Sequence, residues 1–250
     1  MMGKGLESHK QSINADTRIN LKKLPHISYQ YPSLDEIHQF MLDFELQAAH
    51  QTDEQSCHRG YDPNHYVYYA QKGDGKFLER AFEAASLEGS KRAGALPKAG
   101  PMQELTDAPG AGSLPGYFGL STQVFESRSQ FYTSTFNIQQ PTPVDHAFFL
   151  GPSTTTSHVH HCSIEVHDYD TQQPGHQLLV KKRYRPASGV GHYVLRSQIF
   201  NYWWEFLGQY DRTLRRWRLS KCRDVIGYMI PAGPALLAIW GPELPAAFFE

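Results

Sequence analysis

The sequence has few cysteines, no long apolar run and no excess of either charge, and each shortage excludes a class of protein. Its three cysteines, Cys57, Cys162 and Cys222, form neither a zinc motif nor a disulfide framework, so we expect a reducing, cytoplasmic compartment. No run of about 18 apolar residues is present, which argues against a membrane span. The opening "MMGKGLESHKQ" lacks the apolar segment of a secretory signal.

Charge and composition favour a globular protein that does not bind nucleic acid. The 250 residues carry a net charge of −1, whereas nucleic-acid binders usually present a basic face. With 40% hydrophobic and 20% charged residues, the chain can bury the core of one large domain or two small ones. Histidine is abundant, with 13 residues, which keeps metal chemistry open.

The apolar pattern of the N-terminal half predicts a strand, a helix and further strands. Residues 1–23 are polar and predict a flexible tail. "LPHISYQY" is typical of a strand, and "PSLDEIHQFMLDFE" predicts an amphipathic helix with Ser33 as N-cap and Glu36 completing a capping box. Strands follow in "HYVYYAQKG" and "KFLERAFEAAS", and then a short helix and a connector rich in Gly, Ala and Pro.

The C-terminal half repeats this order. "GYFGLSTQ" predicts a strand, "VFESRSQFYTSTF" a helix, "DHAFFL" and "HHCSIEVHD" strands, and "TQQPGHQLLVKKRYR" a helix, before the strands "GVGHYVL" and "SQIFNYWWEF". A weak internal repeat of βαβββ type results, and such units pair to fold a sheet around a cavity. We therefore predict an α+β fold of βαβββ modules in two halves, residues 24–112 and 116–250.

One strand is unusually rich in histidine, "TSHVHHCSIEVHDYD". Because side chains alternate along a strand, one face would carry His161 and Ser163 and the opposite, mostly apolar face Cys162 and Ile164. His161 would then lead a polar face that lines a cavity. From spacing alone, a metal ligand and ordinary surface or strand-end histidines are equally good interpretations.

Longer motifs carry a family resemblance that spans residues 24–250 with gaps. They are "RGYDPNHYVYYAQKG", "TDAPGAG", "HHCSIEVHDYDTQQPGHQLL", "GVG…SQIFNYWW" and "IGYMIPAGPALLAIWGPELP". Together they resemble fungal type I extradiol ring-cleaving dioxygenases, of the biphenyl-2,3-diol or trihydroxytoluene type. These glyoxalase-like proteins belong to the vicinal oxygen chelate superfamily. The resemblance implies paired βαβββ modules and a non-haem Fe(II), held by two histidines and a glutamate, at which a catechol and O₂ react.

When the three metal-ligand positions of the family are placed on this sequence, one ligand is retained and two are replaced by other residues. His161 matches the second histidine ligand, and Tyr117 in "GYFG" stands at the first. Arg212 stands at the glutamate, ten residues beyond Tyr202. A tyrosine phenolate can ligate iron, whereas a guanidinium stays charged and repels a cation. We therefore expect Fe(II) to bind weakly or not at all.

The resemblance also implies three supporting residues. His146 in "DHAFFL" matches the acid–base histidine, and Tyr202 matches the tyrosine that orients the substrate. Tyr193 in "GHY" stands where the family has a histidine that lies next to the metal ligands without binding the metal.

Two gaps against the family pattern predict incomplete modules. Between Gly112 and Gly116 the family has the closing strands of its second module, and between Gln140 and Val144 further strands of its third. We therefore expect an incompletely closed N-terminal half and exposed strand edges. Exposed edges favour self-association, so a homo-oligomer is an open alternative.

The segment around Arg212 suggests a cause for the missing glutamate. The family continues after Tyr202 as Gly-Asn-Met-Ile-Glu-His-Tyr-Ala-Asp-Gly-Asp, where this chain has "GQYDRTLRRWR". If residues 209–218 are encoded CAA TAT GAT CGA ACA CTA CGC AGA TGG CGA, a reading that starts one base later gives Asn-Met-Ile-Glu-His-Tyr-Ala-Asp-Gly. We hypothesise that residues 205–224 are a frameshifted reading of the glutamate strand, and coding DNA incompatible with that overlap would exclude it.

These features define one leading function and two alternatives. The leading function is cleavage of a catecholic or polyphenolic ring by an extradiol-dioxygenase-like protein, with a small aromatic diol and O₂ as partners and Fe(II) as cofactor. The first alternative is a metal-independent cyclase or isomerase with His146 as a base, or a polyphenol-binding protein. The second is a non-catalytic remnant of the family.

Overall fold

Four helices and fifteen strands form the described part of the chain, residues 17–60, 66–97, 99–100, 102, 115–138, 148–154, 157–166, 168–193, 199–205, 216–220 and 238–242 of a computed structural model. The helices are α1 (Leu34–Asp43), α2 (Leu87–Gly94), α3 (Phe125–Thr135) and α4 (Tyr169–Lys181). The strands are β1 (Leu21–Lys23), β2 (Ile27–Tyr31), β3 (Gln47–Gln51), β4 (Gln55–Arg59), β5 (Tyr68–Lys72), β6 (Phe77–Arg80), β7 (Glu83–Ala84), β8 (Pro115–Thr122), β9 (Phe148–Pro152), β10 (His158–Glu165), β11 (Gly191–Tyr193), β12 (Ile199–Phe200), β13 (Tyr202–Trp204), β14 (Arg216–Ser220) and β15 (Ala238–Trp240). This mixture confirms the predicted α+β class.

Helix α1 begins where the capping box predicts. The Ser33 side chain accepts a hydrogen bond from the Glu36 backbone N–H at 3.3 Å, which satisfies one of the free donors of the first turn. Asp35 and Glu36 place negative charge at the positive end of the helix dipole. The buried positions recur at helical spacing, and they are Leu34, Ile37, Phe40 and Met41. The helix therefore buries one apolar stripe, as its sequence predicts.

The N-terminal sheet is a complete βαβββ module with one added strand. Its strand order is β3-β4-β5-β2-β6, with β2 and β5 parallel and the other neighbours antiparallel. Helix α1 connects β2 to β3 and packs against β3, β4 and β5. The segment before β2 also contributes to the core, because Ile19 is buried and bridges to Phe136 after α3.

The C-terminal sheet places β10 at its centre. Its order is β13-β14-β10-β8-β9, and β10 is antiparallel to β8 and parallel to β14. Three further strands of the C-terminal half form a separate sheet of order β12-β11-β15. The sequence β10, α4, β11, β12–β13 and β14 thus repeats the strand–helix–strands order of the N-terminal module, as the internal repeat predicts.

Two strand predictions need correction. The β3–β4 hairpin has no counterpart in the predicted elements, because every residue of β3 is exposed and its sequence QAAHQ lacks an apolar alternation. The single strand predicted in "SQIFNYWWEF" divides at the buried Asn201 into β12 and β13, which pair with different sheets. The predicted gaps in modules two and three fall between Gly112 and Gly116 and between Gln140 and Val144, and residues 112–114 and 140–144 lie outside the described residues.

The two halves meet where the end of α1 lies against the segment after α4. Asp43 accepts hydrogen bonds from Lys182 and from the Tyr184 hydroxyl, the latter at 2.7 Å. The rings of Phe44 and Trp203 pack edge to face, with centroids 6.1 Å apart. Trp203 is fully buried and belongs to the hydrophobic core.

A carboxylate also joins the halves. The Glu205 side chain, at the end of β13, accepts hydrogen bonds from the phenols of Tyr31 and Tyr68 on the N-terminal sheet, the second at 3.2 Å. Burial and the neighbouring Glu205 raise the pKa of Tyr68 well above its ordinary value, so this phenol stays protonated and available as a donor.

Among the described residues, no helix reaches the length and hydrophobicity that a membrane crossing requires.

Candidate functional site

The strand with the histidines is buried on both faces. His161 and Ser163 are 4% and 1% exposed, and Cys162 and Ile164 on the opposite face are 3% and 7% exposed. β10 has a central place in its sheet, since β8 pairs with it over His158–Ile164 and β14 over Cys162–Glu165. The side chains that were predicted to lead a polar face are therefore enclosed in the protein.

His161 and Tyr202 lie together on one face of the C-terminal sheet. Strand β14 is the link, because Arg218 is paired with Ser163 on one side and with Tyr202 on the other. The His161 and Tyr202 rings meet edge to face, with centroids 6.0 Å apart and an interplanar angle of 87°. An imidazole on the central strand and a phenol on the edge strand, both almost fully buried, thus have their rings in contact. The surface that carries His161, Ser163, Tyr202 and Trp204 is called the His161 face below.

Trp204 and Arg185 continue the His161 face towards solvent. Trp204 lies two residues beyond Tyr202 and so shares its side of the strand. The Arg185 guanidinium lies over the Trp204 ring, 5.6 Å from its centroid, and the Trp204 backbone N–H donates to the Arg185 carbonyl at 3.0 Å. No motif in the sequence identifies Arg185 as part of the site, because its contact with Trp204 depends on the bridge between Pro186 and Trp203.

The other predicted site residues fall in different places. Tyr117 lies on β8 at the position paired with Ser163, and Gly119 of the same strand is paired with His161. Tyr193 lies on β11, where it is paired with Ala238 in the three-stranded sheet. His146 and Arg212 lie outside the described residues. Of the predicted set, His161 and Tyr202 are the pair whose side chains the structure brings into contact.

Among the described residues, the donor set around His161 does not match the Fe(II) triad of two histidines and a carboxylate. The described residues contain no group of three or more His, Cys, Asp or Glu side chains that could hold a metal ion. Strand β14, with the sequence RWRLS, contains no carboxylate to offer to its neighbour β10. The pairing places Trp217 and Arg218 beside Cys162 and Ser163. A guanidinium cannot coordinate a cation.

No protein-family model and no curated protein matches the sequence. Solved structures of similar fold do match. An extradiol ring-cleaving dioxygenase from B. fuscum has a TM-score of 0.74 at 12% identity, covering 94% of this chain and 83% of that one. Homoprotocatechuate 2,3-dioxygenase from Brevibacterium fuscum, in complex with 3,4-dihydroxyphenylacetate, has a TM-score of 0.72 at 12% identity, covering 95% and 94% of the two chains.

A Mn(II)-bound glyoxalase from Novosphingobium aromaticivorans also has this fold. Its TM-score is 0.69 at 12% identity, and the match covers 92% of this chain and 94% of the glyoxalase. The chain therefore has the glyoxalase-like fold of the vicinal oxygen chelate proteins, as the resemblance implies. An identity of 12% establishes the fold alone, so the chemistry of the site has to be argued from its own residues.

Proposed function

We propose that the chain is an extradiol-dioxygenase-like protein whose ligand is a small catecholic or polyphenolic aromatic, held at the His161 face. The observation that supports this proposal most is the edge-to-face contact of His161 with Tyr202. It places two hydrogen-bonding groups at the buried end of a face whose outer part is the indole of Trp204. A catechol has the complementary form, an apolar ring with two adjacent hydroxyls.

Each residue has a defined task in this proposal. The Tyr202 hydroxyl donates to one phenolic oxygen of the ligand and so fixes the orientation of the ring. The His161 imidazole exchanges a hydrogen bond with the other phenolic oxygen, and a ring nitrogen can do this as donor or as acceptor. His146 keeps the acid–base role that the resemblance implies, Tyr117 stands as a substitute at the first ligand position, and Tyr193 replaces the family's histidine near the ligands.

Bound Fe(II) would supply a centre at which both catechol oxygens and O₂ bind. The described residues do not fit that ion, because a single buried imidazole faces a strand without carboxylates. We therefore attribute to the chain as it stands the binding and orientation of the aromatic, and only weak affinity for iron.

Weak iron binding is directly measurable. After anaerobic loading with Fe(II) and gel filtration, we expect well below one equivalent of iron per chain, because one of the three expected ligands is retained. We expect no yellow ring-opened product from catechol above the background of buffer with free iron. Tight, stoichiometric iron together with yellow product would show that the ligand assignment is wrong.

A metal-independent role is the second candidate, and it is favoured because the described residues contain no donor set for Fe(II). In this version the same aromatic site serves a cyclase, an isomerase or a polyphenol-binding protein, with His146 as the base in the catalytic cases. Turnover or ligand binding that is unchanged by a chelator would support it, and complete loss in the chelator would exclude it. If the chain yields no folded monomer, the remnant interpretation takes precedence over both.

Four further details of the proposal are taken from the sequence resemblance. They are a fungal origin, a place in secondary or degradative aromatic metabolism, a cytoplasmic location and a division into halves at residues 24–112 and 116–250. Limited proteolysis tests the division, since cleavage between residues 112 and 116 should leave two protected fragments.

A further inference from the structure

Three buried tyrosines and one carboxylate meet at the boundary between the two halves. Tyr29, Tyr31 and Tyr68 are 0%, 2% and 1% exposed. The Tyr29 and Tyr68 rings stack with their centroids 5.7 Å apart and their planes 19° apart. The Tyr31 centroid lies 6.3 Å from that of Tyr29 and 6.4 Å from that of Tyr68. These three residues and Glu205 are called the tyrosine cluster below.

The hydrogen bonds of the tyrosine cluster direct phenolic protons at one carboxylate oxygen. The Tyr31 hydroxyl donates to Oε1 of Glu205, and the Tyr68 hydroxyl lies 3.2 Å from the same atom. The two hydroxyls also form a hydrogen bond with each other. A carboxylate takes up a proton far more readily than a hydroxyl or an amide does, so Glu205 is the base to which a phenol of this cluster can lose its proton.

A base in this position determines how a tyrosine is oxidised. Loss of one electron turns a neutral phenol into a strongly acidic radical cation, which becomes a neutral phenoxyl radical when its proton passes to a base. In the tyrosine cluster the O–H bond of Tyr31 breaks, its proton forms an O–H bond with Oε1 of Glu205, and its electron goes to the oxidant. The Tyr68 hydroxyl, already in contact with the Tyr31 oxygen, then donates a hydrogen bond to the radical.

Burial protects a radical in this place. Exposed tyrosyl radicals meet reductants in solution or couple with one another, whereas the rings of the cluster are closed to both. The hydrogen-bond donor beside Tyr31 also persists, because burial and Glu205 keep the pKa of Tyr68 well above its ordinary value.

We propose that the tyrosine cluster is a redox site in which Tyr31 is oxidised by one electron, with Glu205 as the proton acceptor. The oxidant is a high-potential one-electron acceptor, of the class of radicals formed from peroxides. An external one-electron donor reverses the step, since it returns the electron while the proton moves back from Glu205 to Tyr31. This inference goes beyond the proposed function and requires neither a bound aromatic nor a metal.

Flash oxidation of the full chain tests the proposal, in buffer with a chelator and without an aromatic ligand. Photogenerated tris(bipyridine)ruthenium(III), which is reduced to ruthenium(II), serves as the oxidant. Electron paramagnetic resonance after freeze-quenching gives the yield and the lifetime of the tyrosyl radical. We expect a radical that outlives the one formed in the same chain unfolded in urea. We also expect it to form more slowly in D₂O than in H₂O, because a proton moves with the electron.

Variants assign the radical to the cluster. Glu205→Gln keeps the shape and a hydrogen-bonding oxygen but removes the base, so the yield should fall by about tenfold or more, since each pKa unit of acceptor strength is worth a factor of ten. Tyr31→Phe should remove the long-lived signal. Tyr184→Phe is the matched control, because its phenol also donates to a carboxylate, that of Asp43, but is only half-buried, and Asp43 is paired with Lys182.

Urea unfolding ensures that only folded variants are compared, and the lifetime and isotope measurements on the unaltered chain need no variant. A long-lived radical that survives in Tyr31→Phe or disappears in Tyr184→Phe would overturn the proposal. Equal yields with Glu205 and with Gln at that position would do the same. So would a radical that decays as fast in the folded chain as in the unfolded one, or one that forms at the same rate in D₂O and H₂O.

Discussion

Acidification from pH 7 to about pH 4.5 should lower the free energy of unfolding by about 5 kcal/mol, through two buried histidines. His58 and His26 are the two, and burial lowers the pKa of each to about 4. Their ordinary pKa is 6.5, so both imidazoles are neutral in the folded chain throughout the neutral range. The expected loss is comparable with the whole stability of many domains, which is about 5–15 kcal/mol.

His58 lies under α1 in a setting that disfavours the charged form of its ring. It is fully buried on β4, and its Nε2 lies 3.0 Å from Nδ1 of His38 on the helix. The Ser56 hydroxyl lies 3.4 Å from the same nitrogen. A hydrogen bond between two imidazole nitrogens needs one donor and one acceptor, so a proton added to the acceptor breaks it. Besides burial, the charge of His38 also lowers the pKa of His58.

His26 precedes β2 on the opposite side of the N-terminal sheet. Its ring packs against Tyr66, with centroids 4.7 Å apart, and burial alone accounts for its lowered pKa. The unfolded chain binds protons at both histidines from about pH 6.5 downward, whereas the folded chain resists them until about pH 4. Stability is therefore complete above pH 6.5 and falls as the pH decreases towards 4.

Urea unfolding at a series of pH values, followed by tryptophan fluorescence, measures this loss. His58→Gln should remove about half of the dependence on pH, whatever its effect on stability at pH 7. His50→Gln is the matched control, because His50 is exposed on β3 and its replacement should leave the dependence intact. Equal stability of the wild-type chain at pH 7 and pH 4.5 would contradict the buried, neutral state of both rings.

Local patterns in the sequence predict where helices and strands lie more successfully than they predict which strands pair. The cap at Ser33 and the apolar stripe of α1 depend on neighbours within one turn, so the sequence contains them directly. The β3–β4 hairpin depends on a partner strand for its stability, and its exposed sequence carries no periodic signal. Tertiary context decides such segments.

The same distinction applies to the site. The resemblance brings His161 and Tyr202 together from motifs 41 residues apart, and the contact of their rings agrees with it. Arg185 over Trp204 is a contact across the chain reversal after α4, and no spacing rule predicts it. The place of β14 beside β10 is likewise non-local, and it determines which residues are paired with Cys162 and Ser163.

Replacing residues 209–217 by Asn-Met-Ile-Glu-His-Tyr-Ala-Asp-Gly should raise the iron content to about one equivalent per chain. Strand β14, which includes the last two replaced positions, runs parallel to β10 and is paired with it, so the chain after Tyr202 returns beside the strand of His161. Three arginines and one aspartate, a net charge of +2, become one glutamate and one aspartate, a net charge of −2. The change replaces repulsion of a cation by attraction and supplies one carboxylate ligand.

The matched control separates charge from coordination. It is the same replacement with Arg212→Gln in place of Arg212→Glu, which keeps the side-chain shape and the hydrogen-bonding oxygen but removes the anionic ligand. Metal analysis after anaerobic loading should find iron in the first variant and little in the control, and yellow product from catechol should follow the iron. If the restored segment binds no more iron than the unaltered chain, Arg212 does not stand at a ligand position, and the frameshift hypothesis loses its functional consequence whatever the coding DNA shows.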